Sequence, residues 1–148
     1  MKNILLLVLA ATLALPAVFI AGCRSSTALP AVSPVAATFF FLMQPAGASA
    51  GVAFRTQPLV EILDTYGEID NGFTGAVPLG ITKGSGSARA VLSGAVTVNA
   101  FDGVATFTNL SIDLAGSGYS LTASGSGLAP ATSATFNVAA SPAANNGS

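Results

Sequence analysis

The sequence contains no histidine, no tryptophan and a single cysteine, and only 7% of its residues are charged. Ordinary soluble domains carry about 25% charged residues. Each shortage removes a class of chemistry. Without histidine, neither a Ser-His-Asp nor a Cys-His arrangement can be assembled, and no S-x-x-K pair replaces them. One cysteine cannot close an intramolecular disulfide, and thiolate or imidazole zinc sites are excluded. Five basic residues stand against six acids, and one of the five, Lys2, lies at the extreme N-terminus. A chain so poor in cations has no patch to neutralise phosphates, which argues against a nucleic-acid partner. Neither G-x-G-x-x-G nor G-x-x-x-x-G-K-[ST] occurs, and no cofactor is expected.

What the chain does have is one long apolar run. Ile4 to Ile20 is interrupted only by Thr12 and Pro16, follows the positive Lys2, and ends in Ala21-Gly22 before Cys23. Seventeen residues reach the lower limit for spanning roughly 30 Å of hydrocarbon, and Pro16 suits a helix that breaks before a cleavage point. The stretch Ile20-Ala21-Gly22-Cys23 resembles the bacterial lipobox. The resemblance implies that residues 1–22 are a lipoprotein signal peptide, removed on export. Cys23 would then become the acylated N-terminus and hold the protein to a membrane through its acyl chains. Two or three chains are what stable anchoring needs, since one binds only marginally. Arg24 rather than Asp follows the cysteine. In enterobacterial lipoproteins Asp there retains the protein in the inner membrane, so the outer membrane or cell surface is the expected location.

Residues 23–36, with Pro30 and Pro34 among Ser, Thr and Ala, read as a tether. It reaches up to about 40 Å in polyproline II conformation. Residues 140–148 end in Asn-Asn-Gly-Ser and read as a disordered tail. Between them, residues 37–139 are short β-branched and aromatic runs separated by glycine-rich turns, without 3.6-residue periodicity. The expectation is an all-β domain. Thr38 to Gln44 makes a first strand, in which Phe39, Phe40 and Phe41 cannot all face one core. Val60 and Ile62 alternate with Glu61, and Val77, Leu79 and Ile81 share a face, with Pro78 suggesting an edge position. A short run surrounds Val91-Leu92. Asp102-Gly103 between VTVNA and VATFTNL predicts a hairpin. Tyr119, Leu121 and Ala123 then share a face, and Ala134, Phe136 and Val138 form the last one. About seven strands at this spacing predict an antiparallel two-sheet sandwich.

The segment GVATFTNLSIDLAGSGYSLTASGSGLAPATSATFNV closely resembles the C-terminal half of bacterial Ig-like repeats. FFFLMQPAGASAGVAF and PLVEILDTYG are similar to their opening strands. The resemblance implies a single Ig-like β-sandwich, in which Asp113 to Tyr119 forms a tyrosine corner whose phenol bonds upstream backbone.

In such a sandwich, binding falls to loops and edges. The most distinctive loop runs from residue 64 to 75. Tyr66 and Phe73 are its candidate aromatic anchors, Asp64, Glu68 and Asp70 set its charge preference, and Asn71 adds polarity. The acids there are expected to be solvated, with a minor calcium possibility at Asp64 and Asp70. The functional expectation is a non-catalytic, lipid-anchored envelope protein displaying one interaction or structural module. Its partner would be an envelope or surface protein or a glycan. A small-ligand or glycan-binding lipoprotein is the alternative, and a hydrolase a distant third.

Overall fold

The computed structural model describes residues 35–142, so the expected signal peptide, nearly all of the expected tether and most of the expected tail lie outside the described residues. The described chain is all-β and contains no helix. No helix among these residues is long and apolar enough to cross a membrane.

The first half of the domain is built from β1 (Ala36–Met43), β2 (Ala48–Ser49), β3 (Leu59–Asp64), β4 (Ala76–Ile81), β5 (Leu92–Ser93) and β6 (Thr97–Asn99). The second half adds β7 (Val104–Thr106), β8 (Ser111–Ile112), β9 (Gly116–Tyr119), β10 (Leu121–Ala123), β11 (Ala131–Thr132) and β12 (Phe136–Ala139). Strand order is β1-β3-β7 in one sheet and β11-β10-β4-β6 in another. A third sheet runs β2-β12-β9, and β5 pairs β8. All ladders are antiparallel except β2 with β12, where Ala48 lies opposite Val138. The first strand begins at Ala36, one residue inside the expected tether, because Ala36 pairs Asp64 at the end of β3.

Period-2 patterning decides which face is inside. In β1, Phe39 and Phe41 are buried and Phe40 points out. In β3, Val60, Ile62 and Asp64 are buried between half-exposed neighbours. Val77 and Leu79 of β4 and Leu121 and Ala123 of β10 complete the opposing wall, and Phe107, Leu110 and Tyr119 fill the space between. These residues form one cluster, so the inward faces of the sheets share a single core. In the last strand Val138 is buried and Phe136 half-buried, while Ala134 is exposed and precedes the ladder.

Two expectations about pairing are corrected. Asp102 and Gly103 form a two-residue turn, with φ of 48° and 74° and reciprocal hydrogen bonds of 2.9 Å between Phe101 and Val104. Positive φ at both central residues is the type I′ signature. Its two arms then part: β6 pairs β4, whereas β7 pairs β3. The turn therefore bridges two sheets rather than closing one hairpin. Pro78 is likewise not on an edge strand, because β4 has β6 on one side and β10 on the other. The Pro78 carbonyl accepts from Ser124 just beyond Ala123, the last residue of β10. The proline's missing donor thus falls where that ladder stops, and no ladder bond is lost.

Tyr119 locks the second half of the chain. Its ring is fully buried and its hydroxyl donates to the Leu114 carbonyl at 2.9 Å, five residues upstream. Gly86 lies against the ring with φ of 59°, and a Cβ there would fall 2.1 Å from a ring carbon. Only glycine fits that approach.

Phe107 is 1% exposed. Phe107→Ala is expected to cost about 3–5 kcal/mol, and Tyr119→Phe, which removes only the Leu114 bond, about 1 kcal/mol. Chemical denaturation of the two variants checks both the values and their order.

Candidate functional site

The loop from residue 64 to 75 starts where β3 runs out. Asp64 does not lie in solvent as expected: it is 5% exposed. Its Oδ1 accepts the amides of Tyr66 (2.7 Å) and Glu68 (3.0 Å). Its own amide donates to the Glu68 carbonyl at 2.8 Å, and its carbonyl accepts from Gly67 at 3.1 Å. One carboxylate thus closes the turn it begins, the local role that short acidic side chains take at turns. Asp70 repeats the device on a smaller scale, its Oδ1 accepting from Gly72 at 3.0 Å.

The second half of the loop is stitched to the Asp102-Gly103 turn. Asp70 donates to the Ile62 carbonyl, Phe73 accepts from the Gly103 amide, and Gly103 in turn accepts from Ile62. A Cβ on Gly103 would sit 2.5 Å from the Asp70 carbonyl, so this contact requires glycine as much as the turn does. Phe73 is drawn inwards. It is half-buried against the core, with its ring over Gly75. Hence Asp64 and Phe73 serve packing and turn closure. Tyr66, 75% exposed, projects from the tip, accompanied by the exposed Glu68 and Asn71. Asp70 is half-buried. The same geometry bears on the calcium possibility at Asp64 and Asp70. Oδ1 of each accepts backbone amides, and no group of three potential ligand residues occurs among the described residues.

Cys23, with Ile20, Ala21 and Gly22, lies outside the described residues.

A feature that sequence reasoning passed over is the loop after β4. Residues 81–88 and Ala90 line an open depression of about 410 Å³ that includes Lys83, Ser85 and Ser87. Its hydroxyls are committed to the fold. Ser85 Oγ donates to Thr82 O at 2.8 Å and accepts the Ser120 amide at 3.1 Å, while Ser87 Oγ donates to Ala115 O. The depression arises because this loop drapes over Tyr119 through Gly86. The Gly84-Ser85-Gly86 pattern signals a loop, but not the ring beneath it.

No family model, curated protein or solved structure matches the chain.

The two aromatic residues of the 64–75 loop are expected to respond oppositely. Tyr66→Ser should leave the melting temperature unchanged within error. Phe73→Ser should lower it by several degrees, since about 1 kcal/mol shifts a domain of this size by roughly 4–8 °C. Thermal melts of the two single variants check this.

Proposed function

We propose that the protein is an exported, lipid-anchored, non-catalytic component of the bacterial cell envelope that displays one Ig-like β-sandwich as an interaction or structural module. The observation that carries this reading is the Ile20-Ala21-Gly22-Cys23 stretch at the end of the apolar run. It assigns an address and an attachment in one feature.

Three features of the described domain support the Ig-like part. Joining segments separated by short breaks (β1 with β2, β5 with β6, β7 with β8, β9 with β10, β11 with β12) turns twelve strands into seven passes of the chain. The switch of β2 onto β12 in parallel, beside otherwise antiparallel pairs, gives the first and last passes a partner each. The Tyr119–Leu114 bond joins a buried phenol to backbone a few residues upstream, the kind of contact the resemblance implies. The chain also enters at Ala36, opposite Asp64, and leaves along β12 towards Gly116, at the other end of the strands.

The alternative, a small-ligand or glycan-binding lipoprotein, draws on the depression at residues 81–90. Its volume falls within the range of ligand sites, yet a single loop lines it and none of its residues is aromatic. The interaction reading is therefore preferred. Within it, Tyr66 is the exposed aromatic anchor that the 64–75 loop still offers a surface protein or glycan.

Metabolic labelling with a fatty-acid analogue tests the attachment. The wild-type chain should take up label, and Cys23→Ser should take up none and retain its leader. Equal labelling of the two refutes the reading.

A further inference from the structure

The two outer faces of the domain differ in chemistry. On the β4–β10–β11 side the register aligns Gly80 with Thr122 and Thr122 with Thr132. The hydroxyls of Thr82 and Thr122 lie 2.8 Å apart, so this face is a small polar surface. On the β1–β3–β7 side the outward set is Phe40, Met43, Leu59, Leu63 and Val104, with Thr38 and Thr106 at its margins and Glu61 as its one charge. Phe40 is 50% exposed and Met43 45%. Val35, Phe40, Leu42 and Met43 make up four of the ten exposed large apolar residues of the described chain, concentrated in the first nine positions. Scattered single exposures are ordinary, whereas a contiguous apolar face marks a docking surface.

We propose that this face rests on the lipid surface to which Cys23 is attached, so that the domain lies on the bilayer with its threonine face towards solvent. The proposal rests on the reading that Cys23 is acylated. Chain length and entry point argue for lipid as the occupant. Thirteen positions separate Cys23 from Ala36, a reach of up to about 40 Å when extended. Phe40 lies four residues further, about 13 Å along β1. The face therefore begins where the attached chain enters the fold. A tether of this length holds its domain at an effective concentration of order millimolar, so a few half-exposed apolar side chains suffice. Such side chains seat about 5–10 Å into the interfacial region.

Glu61 favours lipid over a second copy of the chain. In the register it stands between Phe40 and Val104, at the middle of the face. Two such faces packed together would bring like carboxylates into a dry contact without a cation, which is costly. Against a bilayer the carboxylate can stay at headgroup level. With the exposed Glu68 and Asp102 and the half-buried Asp70 beside the same sheet, the surface that suits it is zwitterionic.

Because the chain has no tryptophan, Phe40→Trp introduces a sole indole on this face. Thr132→Trp places one on the opposite face, and Met43→Trp reads the first face from a second position, so misfolding of one variant leaves the test standing. The full chain, expressed with its leader, is reconstituted into phosphatidylcholine vesicles with and without brominated acyl chains, and acylation of Cys23 is read by mass spectrometry. Emission from Phe40→Trp and Met43→Trp should shift to the blue and fall about two-fold with brominated lipid, as an interfacial depth requires. Thr132→Trp should be unaffected. Acylated protein whose Phe40→Trp and Met43→Trp emission ignores the bromines overturns this proposal alone. A blue shift that grows with protein concentration, without quenching, assigns the face to a second copy and also overturns it. Absence of acyl mass on Cys23 overturns the anchoring reading, and this one with it.

Discussion

A buried tyrosine hydroxyl must find a partner or carry a desolvation cost of about 1–3 kcal/mol, and in this fold that need organises half the chain. Tyr119 has no exposure, and its hydroxyl reaches back to Leu114 at 2.9 Å. The acceptor lies in the segment just ahead of β9, and Gly86 of another loop lies flat against the same ring. The loop after β4 is pinned in turn by Ser85, which bonds Ser120, the residue that separates β9 from β10. Phe136 of β12 packs on the same ring, with centroids 6.2 Å apart. One residue thereby joins the loop, the bend and the final strand. No disulfide is available to do this, because the only cysteine lies ahead of the domain.

The sequence reveals faces better than partners. Alternation is a local property, so Val60 and Ile62, Phe39 and Phe41, and the Tyr119–Leu121–Ala123 set are all recognisable as inward residues, and all are buried. Turn chemistry is local too, and Asp102-Gly103 turns as its residue types require. Strand pairing beyond the turn is a long-range matter. Whether VTVNA pairs with VATFTNL depends on which strands β4 and β3 offer on either side. Those two outcompete the direct pairing, so the arms separate. Pro78 misleads for the same reason. Its missing donor marks an interrupted ladder, and the interruption is the end of β10 rather than an open edge.

The 64–75 loop shows the limit for sites. Its acids and aromatic rings are visible as residue types, yet type does not fix direction. Asp64 sits at an inward position of β3, so strand alternation itself predicts that it turns inward, in conflict with the expectation that loop acids are solvated. Nearby amides resolve that conflict by supplying two hydrogen bonds to the carboxylate. Phe73 is pulled in by a contact 30 positions away, through the Gly103 amide. Tyr66 has no such tie and stays out.

A domain with so few charges must also protect its strand edges by means other than lysine. Here backbone and amide side chains perform that role. The outer edge of β1 is taken by Ala129, which accepts from Phe39 and donates to Ala37. Further along, Gln44 spans the gap, donating to Phe41 and accepting from Ala134. Asn137 accepts from Gly118 beside β9, and Ser87 donates to Ala115 just before it. Most strands are two to four residues long, which leaves little unpaired backbone for another chain to extend. At β1 and β9, edge pairing is thus limited by hydrogen bonds made within the domain. The outer face of β1–β3–β7 carries the exposed Phe40 and Met43, so what this sheet offers beside β1 is apolar contact rather than an open strand edge.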